Sequence, residues 1–375
     1  MDELQGRSIA LVGGAGFIGH TLALRLKALG ARPVVLDSLS VNNYYHFKNN
    51  RDVIPSAEIY LGILEQRFAL LKQAGIRVLE LDARDYHGLS RALLAVNPGA
   101  IVHLAAVSHA DKSNRDPMAT FDHSLRTLEN ALDAARSPNL NVSHFVYFSS
   151  SMVYGNFPSE TVTEETPCEP IGIYGALKVA GERMVIAYQQ VFGVPYTIVR
   201  PSALYGPRCV SRRVGQVFIE NALRGLEITV QGDGGDRLDF TYIDDLVDGI
   251  VRVLTQEAAK NQTFNLTYGS SRSLADMARL IGEHFPEARL NYVRKDRLMP
   301  SRGTLSVEKA ARLIGYRPTH PLEVGFVRYV EWYRSIWREL SVPVAARSTS
   351  RSAAAAALEP DVTALVAGRV PAVGV

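Results

Sequence analysis

The sequence predicts an α/β protein with a doubly wound parallel sheet and a smaller lobe formed by its C-terminal part. Two observations carry this prediction. Apolar runs without polar alternation alternate with amphipathic stretches through the first half, and the second half has shorter elements with more turns. Wholly apolar strands are typical of a parallel sheet covered by helices on both faces. The strand–helix–strand order predicts the doubly wound arrangement.

The individual elements follow this pattern from the N-terminus. Buried parallel strands are predicted at residues 9–12, 33–36, 77–81, 101–104, 145–148 and 196–199. Helices are predicted at residues 17–29, 89–96, 125–135 and 322–340. Between the second and third strands, residues 38–75 form an insertion, in which the polar, aromatic stretch VNNYYHFKNN precedes the helical stretch LGILEQRFALLKQAG.

These elements divide the chain into three parts. Residues 1–207 are expected to form mainly the first domain, and residues 208–341 mainly the smaller lobe, interleaved with that domain. The lobe should lie over the carboxyl edge of the sheet, where open α/β sheets bind ligands. Residues 342–375 are mostly small and have little to bury, so we expect a disordered tail.

Composition narrows the class of protein. The net charge of +3 is small and the basic residues are scattered, so nucleic acid is not expected as a partner. Cys168 and Cys209 cannot build a disulfide framework, and no leader or transmembrane segment is recognisable. We therefore expect a cytoplasmic protein without a membrane partner. His103, His109 and His123 show no metal-ligand spacing with the cysteines, so no metal is expected.

The turn after the first strand, GGAGFIG, places Gly13, Gly16 and Gly19 at three-residue spacing, with Phe17 and Ile18 between the last two. A chain that turns tightly beside a pyrophosphate needs positions without a Cβ, and the following helix offers free N–H groups and a favourable dipole. Glycines also mark ordinary turns, but here the strand before and the helix after are both present. The pattern predicts a dinucleotide-binding Rossmann domain.

Two carboxylates at strand ends are predicted to bind the adenosine half of the dinucleotide. Asp37, in VVLDSLS, lies near the position at which a carboxylate binds the ribose diol. It would repel a 2′-phosphate, so NAD is favoured over NADP. The alternative is an aspartate that only caps its own loop. Asp82, in LELDARD, ends the third strand, and it is expected to face the adenine together with Ala83.

A catalytic group is predicted where the fifth strand ends in FSSSMVYG. Tyr174 and Lys178, in YGALK, are four residues apart on a predicted helix, so they lie on one face. Tyrosine ionises at about pH 10, and a neighbouring ammonium lowers that pKa by favouring the phenolate. With the Ser150 hydroxyl on the same substrate oxygen, the phenolate can take a proton from an alcohol whose carbon loses hydride to a nicotinamide. Taken alone, such a pair is usually a solvated helix face.

The ordered motifs resemble the extended short-chain dehydrogenase/reductases, in their nucleotide-sugar epimerase and dehydratase branch. GGAGFIG, HLAAVSHADKS, FSSSMVYG, YGALK, RPSALYGPR and LDFTYIDDL match in order, and the resemblance covers about residues 9–340. It implies that Ser150 is the hydroxyl partner, Tyr174 the base and Lys178 its activator and ribose ligand. It also implies cofactor contacts from Leu104, Ala105, Ala106 and Pro201.

The sequence departs from the family pattern at several positions. Dehydratases of this branch carry an Asp-Glu pair after the catalytic hydroxyl residue, whereas this chain has Ser151 and Met152. Methionine cannot transfer a proton, so 4,6-dehydration is disfavoured. Ser124 stands where relatives usually have a structural asparagine, and Arg237 is displaced by one position from the usual Arg-Asp-Phe that binds diphosphate.

Arginines in the second half are candidates for binding the substrate. YGPRCVSRRVGQVF carries Arg208, Arg212 and Arg213, and DRLMPSRGTLS carries Arg297 and Arg302. Arginine suits a pyrophosphate or a hexuronate carboxylate through bidentate contacts, although each could be a solvated surface residue. The predicted substrate-binding residues are Ser108, Ser151, Met152, Arg208, Arg213, Arg237 and Arg297.

The leading hypothesis is an NAD-dependent nucleotide-sugar epimerase, which would invert carbon 4 of a hexose or hexuronate, most readily a UDP-sugar, through a transient 4-keto sugar. The insertion followed by RFALL resembles the corresponding loop of UDP-glucuronate 4-epimerases. One alternative is an oxidoreductase or dehydratase that releases a keto sugar, or an enzyme that epimerises another carbon. Another is an NAD-sensing protein without chemistry, for which Ser150, Tyr174 and Lys178 would be unnecessary.

The resemblance also implies a homodimer. In this family the helix bearing the catalytic tyrosine and the preceding long helix usually form a four-helix interface with a partner. Here both helices are rich in apolar residues, among them Leu128, Leu132, Met184 and Val185.

Overall fold

The computed structural model describes residues 2–40, 44–50, 57–107, 110–295 and 300–341. Its strands are β1 (Ser8–Val12), β2 (Arg32–Asp37), β3 (Arg77–Glu80), β4 (Ala100–His103), β5 (Phe145–Phe148), β6 (Thr161–Val162), β7 (Tyr196–Arg200), β8 (Leu204–Tyr205), β9 (Ile228–Gln231), β10 (Arg237–Leu238), β11 (Thr241–Tyr242), β12 (Gln262–Asn265), β13 (Arg272–Ser273), β14 (Leu290–Val293) and β15 (Thr304–Leu305). The predicted tail, at residues 342–375, lies outside the described residues.

Helices connect most of these strands. They are α1 (Phe17–Ala28), α2 (Tyr44–Asn49), α3 (Ala57–Gln73), α4 (Tyr86–Val96), α5 (Ala110–Arg115), α6 (Pro117–Phe121), α7 (Thr127–Ala135), α8 (Gly172–Phe192), α9 (Val214–Leu223), α10 (Ile243–Thr255), α11 (Leu274–His284), α12 (Glu308–Ile314) and α13 (Leu322–Ser341). The predicted helix at 125–135 begins as a π-helical turn, Asp122–Arg126, which contains Ser124. No helix among the described residues has the length and apolar character needed to span a membrane.

The central sheet confirms the predicted fold class. Within the described part of the chain it has seven strands in the order β12-β7-β5-β4-β1-β2-β3, and every pair is parallel. The six predicted strands are all present. The seventh, β12, was not predicted because its sequence, QTFN, contains no apolar run. It comes from beyond residue 208, so the sheet takes one edge strand from the second half of the chain.

Helices cover both faces of the sheet, as the apolar strands require. Side chains alternate across a strand, so Ile9 and Leu11 pack in one core cluster with α1, α3, α10 and α13. Ala10 and Val12 pack in a second cluster with α4, α7 and α8. Residues of β1 are at most partly exposed, and those of β4 and β5 are buried throughout.

The strand order reverses between β1 and β4, the neighbouring central strands. Open α/β sheets bind ligands outside the carboxyl ends of their strands at such a point. The backbone N–H groups of Leu104 and Ala105, directly after β4, both donate to the carbonyl of Val12 at the end of β1. The two strand ends are thereby held together beneath the crevice.

The residues cited for a dimer interface are largely used within the chain. Leu128, Leu132 and Val185 are almost fully buried in the second core cluster, and Met184 packs against it. Leu128, Leu132 and Val185 are therefore not available to a partner, whereas Met184 is partly exposed. The large apolar side chains that α8 exposes are at its end, where Val191 is 70% and Phe192 is 48% exposed.

Candidate active site

A cavity of about 760 Å³ lies at the carboxyl edge of the sheet. Its lining includes the predicted cofactor residues Gly13, Gly16, Phe17, Ile18, Gly19, Asp37, Asp82, Ala83, Leu104, Ala105, Ala106 and Pro201, the predicted catalytic residues Ser150, Tyr174 and Lys178, and the predicted substrate residues Ser151, Met152, Arg213 and Arg237. Its size falls in the usual range of small-molecule sites. Segments far apart in sequence thus line one connected space.

The glycine turn has the geometry of a dinucleotide cradle. Gly13 has φ +80°, and a Cβ there would lie 2.5 Å from the backbone nitrogen of Ala105. A Cβ at Gly19 would collide with the backbone of Gly14, so this glycine lets α1 pack directly on the turn. The helix starts at Phe17 with no side-chain cap on its N-terminal N–H groups. These features fit a pyrophosphate bound against bare backbone at a helix N-terminus.

Asp37 lies at the end of β2 and is 7% exposed. Its Oδ2 accepts a hydrogen bond from the Ala15 N–H at 2.9 Å, and its Oδ1 accepts one from the Leu39 N–H at 2.8 Å. Burial raises the pKa of this carboxyl, and the two backbone donors oppose the rise. Asp37 therefore does cap its loop, but each oxygen keeps a second lone pair for a ribose hydroxyl.

Asp82 is more exposed and is held by its neighbour. Arg84 donates to both carboxylate oxygens, with Nη2 at 2.6 Å from Oδ2, and its backbone N–H donates to Oδ1 at 2.9 Å. The side-chain hydrogen bond from Arg84 is the main reason that the pKa of Asp82 lies below its usual value. The carboxylate is thus oriented at the rim of the cavity.

Tyr174, Lys178 and Ser150 are brought together by α8 and the end of β5. Tyr174 and Lys178 lie one turn apart on α8, which is capped after Phe192 by Gly193 in the left-handed conformation, with φ +71°. The Ser150 hydroxyl and the Tyr174 phenol line the same cavity, and Ser150 favours the ionised phenol. The Nζ of Lys178 donates to the carbonyl of Phe148 at 2.6 Å and lies 5.9 Å from the centroid of the Tyr174 ring.

The ionisation of this group differs from the expectation that Lys178 lowers the pKa of Tyr174. Burial raises the pKa of Tyr174, and the Ser150 hydrogen bond and the charge of Arg213 oppose that rise. Burial also lowers the pKa of Lys178 to about 8. Both groups are desolvated, and the ammonium donates to the carbonyl of Phe148.

The positions that distinguish dehydratases hold no acid. Ser151 is 2% exposed, and its Oγ donates to the Oγ of Ser202 at 3.2 Å. Met152 follows it in a short 3-10 helix, Ser151–Tyr154, and lines the cavity. The backbone N–H of Met152 donates to the Ser150 hydroxyl at 3.2 Å. Neither side chain can exchange a proton with a substrate carbon at neutral pH.

The guanidinium groups of Arg213 and Arg302 supply hydrogen-bond donors to the part of the cavity away from the glycine turn. Both line it, and among the described residues neither Nε, although buried, has a hydrogen-bond partner. Burial lowers the pKa of Arg302 to about 10, with a raising contribution from Asp236 and a further lowering one from Arg213. The guanidinium therefore keeps its charge at neutral pH. Buried donors of this kind call for an acceptor, and guanidinium groups match phosphate and carboxylate oxygens.

The other predicted arginines differ in placement. Arg237 lines the cavity, but its guanidinium donates to the hydroxyl and the carbonyl oxygen of Ser271. Arg208, although described, is not among the residues that line the cavity. Its Nε donates to the Nε2 of His20 on α1 at 3.1 Å, so its side chain joins the loop to the helix. Ser108 and Arg297 lie outside the described residues.

Several lining residues were not identified from the sequence. Among them are Phe218 of α9, Thr229 and Gln231 of β9, and Leu274 and Met277 of α11. Thr229 and Gln231 alternate with the buried Ile228 and Val230, and this period of two is the only sequence signal that could have indicated a strand facing a site. Within the described residues, no group of three or more His, Cys, Asp or Glu side chains could hold a metal ion.

Comparisons with known proteins agree on the family and differ on the activity. UDP-glucuronate 4-epimerase 1 of Arabidopsis thaliana is 29% identical over 355 residues, which are 88% of this chain and 78% of that protein. The UDP-glucose 4-epimerase of Thermus thermophilus, solved with NAD, has a TM-score of 0.73 at 26% identity, covering 87% of this chain and 98% of that one. DesIV, a dTDP-glucose 4,6-dehydratase from Streptomyces venezuelae solved with NAD and TYD, has a TM-score of 0.74 at 26% identity, covering 87% and 97%.

The family itself is established by a match to a family model. Residues 9–267 match the model of the NAD dependent epimerase/dehydratase family. This segment includes β1, the glycine turn, the serine-rich end of β5, α8 and the loop that carries Arg213. Because it covers more than half of the chain, the protein belongs to the NAD dependent epimerase/dehydratase family.

Proposed function

We propose that the protein is an NAD-dependent nucleotide-sugar epimerase that inverts carbon 4 of a UDP-sugar. One observation carries the proposal. A single cavity runs from the glycine turn, past Ser150, Tyr174 and Lys178, to the buried donors of Arg213 and Arg302. A dinucleotide at one end and a nucleotide sugar at the other would meet where the phenol and the serine hydroxyl lie. The epimerase relatives and their NAD complexes support the same assignment.

The protein's part in this reaction is to hold the sugar hydroxyl and move its proton. When bound, NAD would supply the site that accepts hydride from carbon 4 and from which hydride returns. Tyr174 takes the hydroxyl proton as a phenolate and returns it to the same oxygen after the sugar has turned. Ser150 donates to that oxygen and fixes its distance from the phenol. The Ser150 hydroxyl and the positive charge of Arg213 favour the phenolate against the effect of burial.

The neighbouring positions favour epimerisation over dehydration. Loss of water across carbons 5 and 6 requires a base for one carbon and an acid for the departing hydroxyl. Ser151 is buried against Ser202, and Met152 has no ionisable group. A 4-keto sugar formed in this site has no assisted path to a 4-keto-6-deoxy product. Its remaining route is reduction from the opposite face.

A hexuronate is the preferred sugar. Arg213 lines the same cavity as Tyr174 and Arg302, and its buried Nε has no hydrogen-bond partner among the described residues. A guanidinium there would bind a carboxylate at carbon 6 through two parallel hydrogen bonds. Arg302 is then left for the diphosphate.

A panel of UDP-glucuronate, UDP-glucose and dTDP-glucose, each incubated with the protein and NAD and followed by NMR, tests the proposal. The expected result is the 4-epimer of one UDP-sugar, with UDP-glucuronate converted fastest and turnover about a hundredfold or more lower in Tyr174→Phe. In heavy water, deuterium should not enter carbon 4, because the hydrogen leaves and returns as hydride. A 4-keto-6-deoxy product, or deuterium at the inverted carbon, would contradict the mechanism.

We also propose a homodimer, in keeping with the family resemblance. The exposed apolar end of α8, at Val191 and Phe192, offers surface that α8 does not bury within the chain. Light scattering at micromolar concentration should give twice the mass of one chain. The double variant Val191→Asp, Phe192→Asp should shift the protein toward monomer, and a wild-type monomer would refute the proposal.

A further inference from the structure

Helix α8 carries a third buried residue on the face that bears Tyr174 and Lys178. Glu182 follows Lys178 by four residues, so it continues the same row along the helix. It is 5% exposed. A carboxylate is almost never this buried unless it is paired, and the proposed chemistry gives it no task.

The three residues of this row contact three consecutive residues at the end of β5. Tyr174 lies close enough to Ser150 for that hydroxyl to favour the ionised phenol. The Nζ of Lys178 donates to the carbonyl of Phe148, and Glu182 accepts from the hydroxyl of Ser149. Two of these contacts hold the groups expected to do chemistry. The third is one turn further along α8 and fixes how the helix is rotated and placed against the strand.

Glu182 is itself held by Arg200, at the end of β7. Nε of Arg200 lies 2.9 Å from Oε1 and Nη2 lies 2.6 Å from Oε2, and both side chains are 6% exposed. The Nη1 of Arg200 donates to the hydroxyl of Tyr154 and to the carbonyl of Glu164. A buried ion pair of this kind gives little net stability compared with apolar packing, but its bidentate geometry allows one orientation only.

We propose that Glu182, fixed by Arg200, is a positioning residue that holds α8 against the end of β5, so that Tyr174 and Lys178 stand in their working places. The inference rests on the proposed function, because it concerns the two groups assigned to its chemistry. Neither Glu182 nor Arg200 lines the cavity, although both are described. Their effect on the reaction is therefore indirect.

The charges around Lys178 support this role. Tyr174 and Glu182 face it from α8, Tyr147 of β5 has its ring centroid 5.1 Å from Nζ, and His103 of β4 lies close by. Burial lowers the pKa of His103 to about 3, so it is neutral. Glu182 raises the pKa of Lys178 against the effect of burial, which leaves it at about 8. Without Glu182 the ammonium should lose its proton at a lower pH.

The test removes both charges together, because Glu182→Gln alone would leave Arg200 buried without a counter-charge. The double variant Glu182→Met, Arg200→Met keeps the volume filled. Its kcat for the UDP-sugar that the wild type converts should fall about tenfold to a hundredfold, since misplacement of reacting groups has effects of this size. KM should change little, and the alkaline limb of the pH profile of kcat should move to lower pH.

Two further variants separate the contributions. Ser149→Ala removes the contact with β5 but leaves the ion pair, so it should lower kcat without moving the alkaline limb. Glu220→Gln is the matched control, because Glu220 is also a buried helical glutamate, bonded by Tyr60 and Tyr333. Glu220→Gln should lower the melting temperature and leave the alkaline limb of the pH profile of kcat unchanged. A double variant with wild-type kcat and an unmoved limb would overturn the proposal.

A second measurement does not depend on turnover. The affinity of the NAD-free protein for NAD, measured by calorimetry at a series of pH values, should fall as Lys178 loses its proton. In the double variant this fall should occur at lower pH than in the wild type, and an unchanged midpoint would also count against positioning. If the wild type turns over no nucleotide sugar yet the midpoint moves, the proposed function fails while the role of Glu182 stands.

Discussion

The two ends of the cavity are built in different ways. At the glycine turn the shape is made by backbone, because Gly13 approaches the backbone of Ala105 and the N–H groups of α1 are free of side-chain caps. At the other end the shape is made by side chains from separate elements, among them Arg213, Thr229 and Arg302. The end at the glycine turn can therefore bind only a narrow class of chemical group. At the other end, substitution of a few side chains can change which ligand binds.

This difference explains why the family match and the individual relatives carry different information. The turn, the serine-rich strand end and α8 lie within the matched residues 9–267. Arg302 and the start of α13 lie beyond that segment. Relatives named as an epimerase and as a dehydratase share the fold at about the same identity, so the activity depends on a few side chains rather than on the scaffold.

The largest effect on turnover is expected from a substitution of Tyr174, which lies where the two ends of the cavity meet. Tyr174→Phe keeps the ring and its packing but removes the ionisable oxygen, so kcat should fall about a hundred- to ten-thousandfold. NAD and UDP-sugar binding, measured by calorimetry, should be nearly unchanged. Ser150→Ala is the milder comparison, because water can replace part of its hydrogen bonding. Activity retained in Tyr174→Phe would remove the phenol from the mechanism.

A smaller effect, on KM for the substrate, is expected from a substitution at the end of the cavity that is built from side chains. Arg213→Met should raise KM for the UDP-sugar about ten- to hundredfold, since a hydrogen bond to a charged group contributes about 1.5–3 kcal/mol. NAD affinity should not change. Arg208→Met is the matched control, because Arg208 lies five residues earlier but donates to His20 outside the cavity. Equal effects of the two substitutions on KM would show that loop stability, not ligand contact, is being measured.

The sequence was sufficient for the backbone-built end and insufficient for the other. Glycine spacing, a strand-end aspartate and a tyrosine–lysine pair at helical spacing are local patterns, and each identified residues that line the cavity. Arg302 is indicated by the sequence only as one of several candidate arginines, and Thr229 is not indicated at all. Both reach the cavity through the arrangement of the smaller lobe, which no local pattern specifies. Arg208 is the opposite case. It lies in the same arginine-rich loop as Arg213 and was predicted to bind substrate, but its side chain contacts His20 and does not line the cavity. The strand β12 was not predicted because its sequence, QTFN, has no apolar run, as an edge strand of the sheet does not need one.

The aspartate at the backbone-built end should have a moderate effect. Asp37→Ala should weaken NAD binding about tenfold, as expected for the loss of charge-assisted hydrogen bonds to the ribose. The substitution also leaves the N–H groups of Ala15 and Leu39 without their acceptor, which loosens the turn. The ratio of NAD to NADP affinity separates these effects, because loosening weakens both dinucleotides alike. A ratio unchanged from the wild type would assign Asp37 to loop capping alone.

The smallest effect is expected outside both ends. Removal of residues 342–375, after the last residue of α13, should leave the melting temperature and the activity unchanged. Small residues dominate this segment, so it has little apolar surface with which to add to a core. The helix before it is already anchored, because Tyr329 and Tyr333 are fully buried and Tyr333 donates to Glu220 at 2.9 Å. Thermal unfolding and turnover of the truncated and full chains should therefore superimpose. A lower melting temperature, or a raised KM for the UDP-sugar, would show that the segment packs on the lobe or reaches the side-chain end of the cavity.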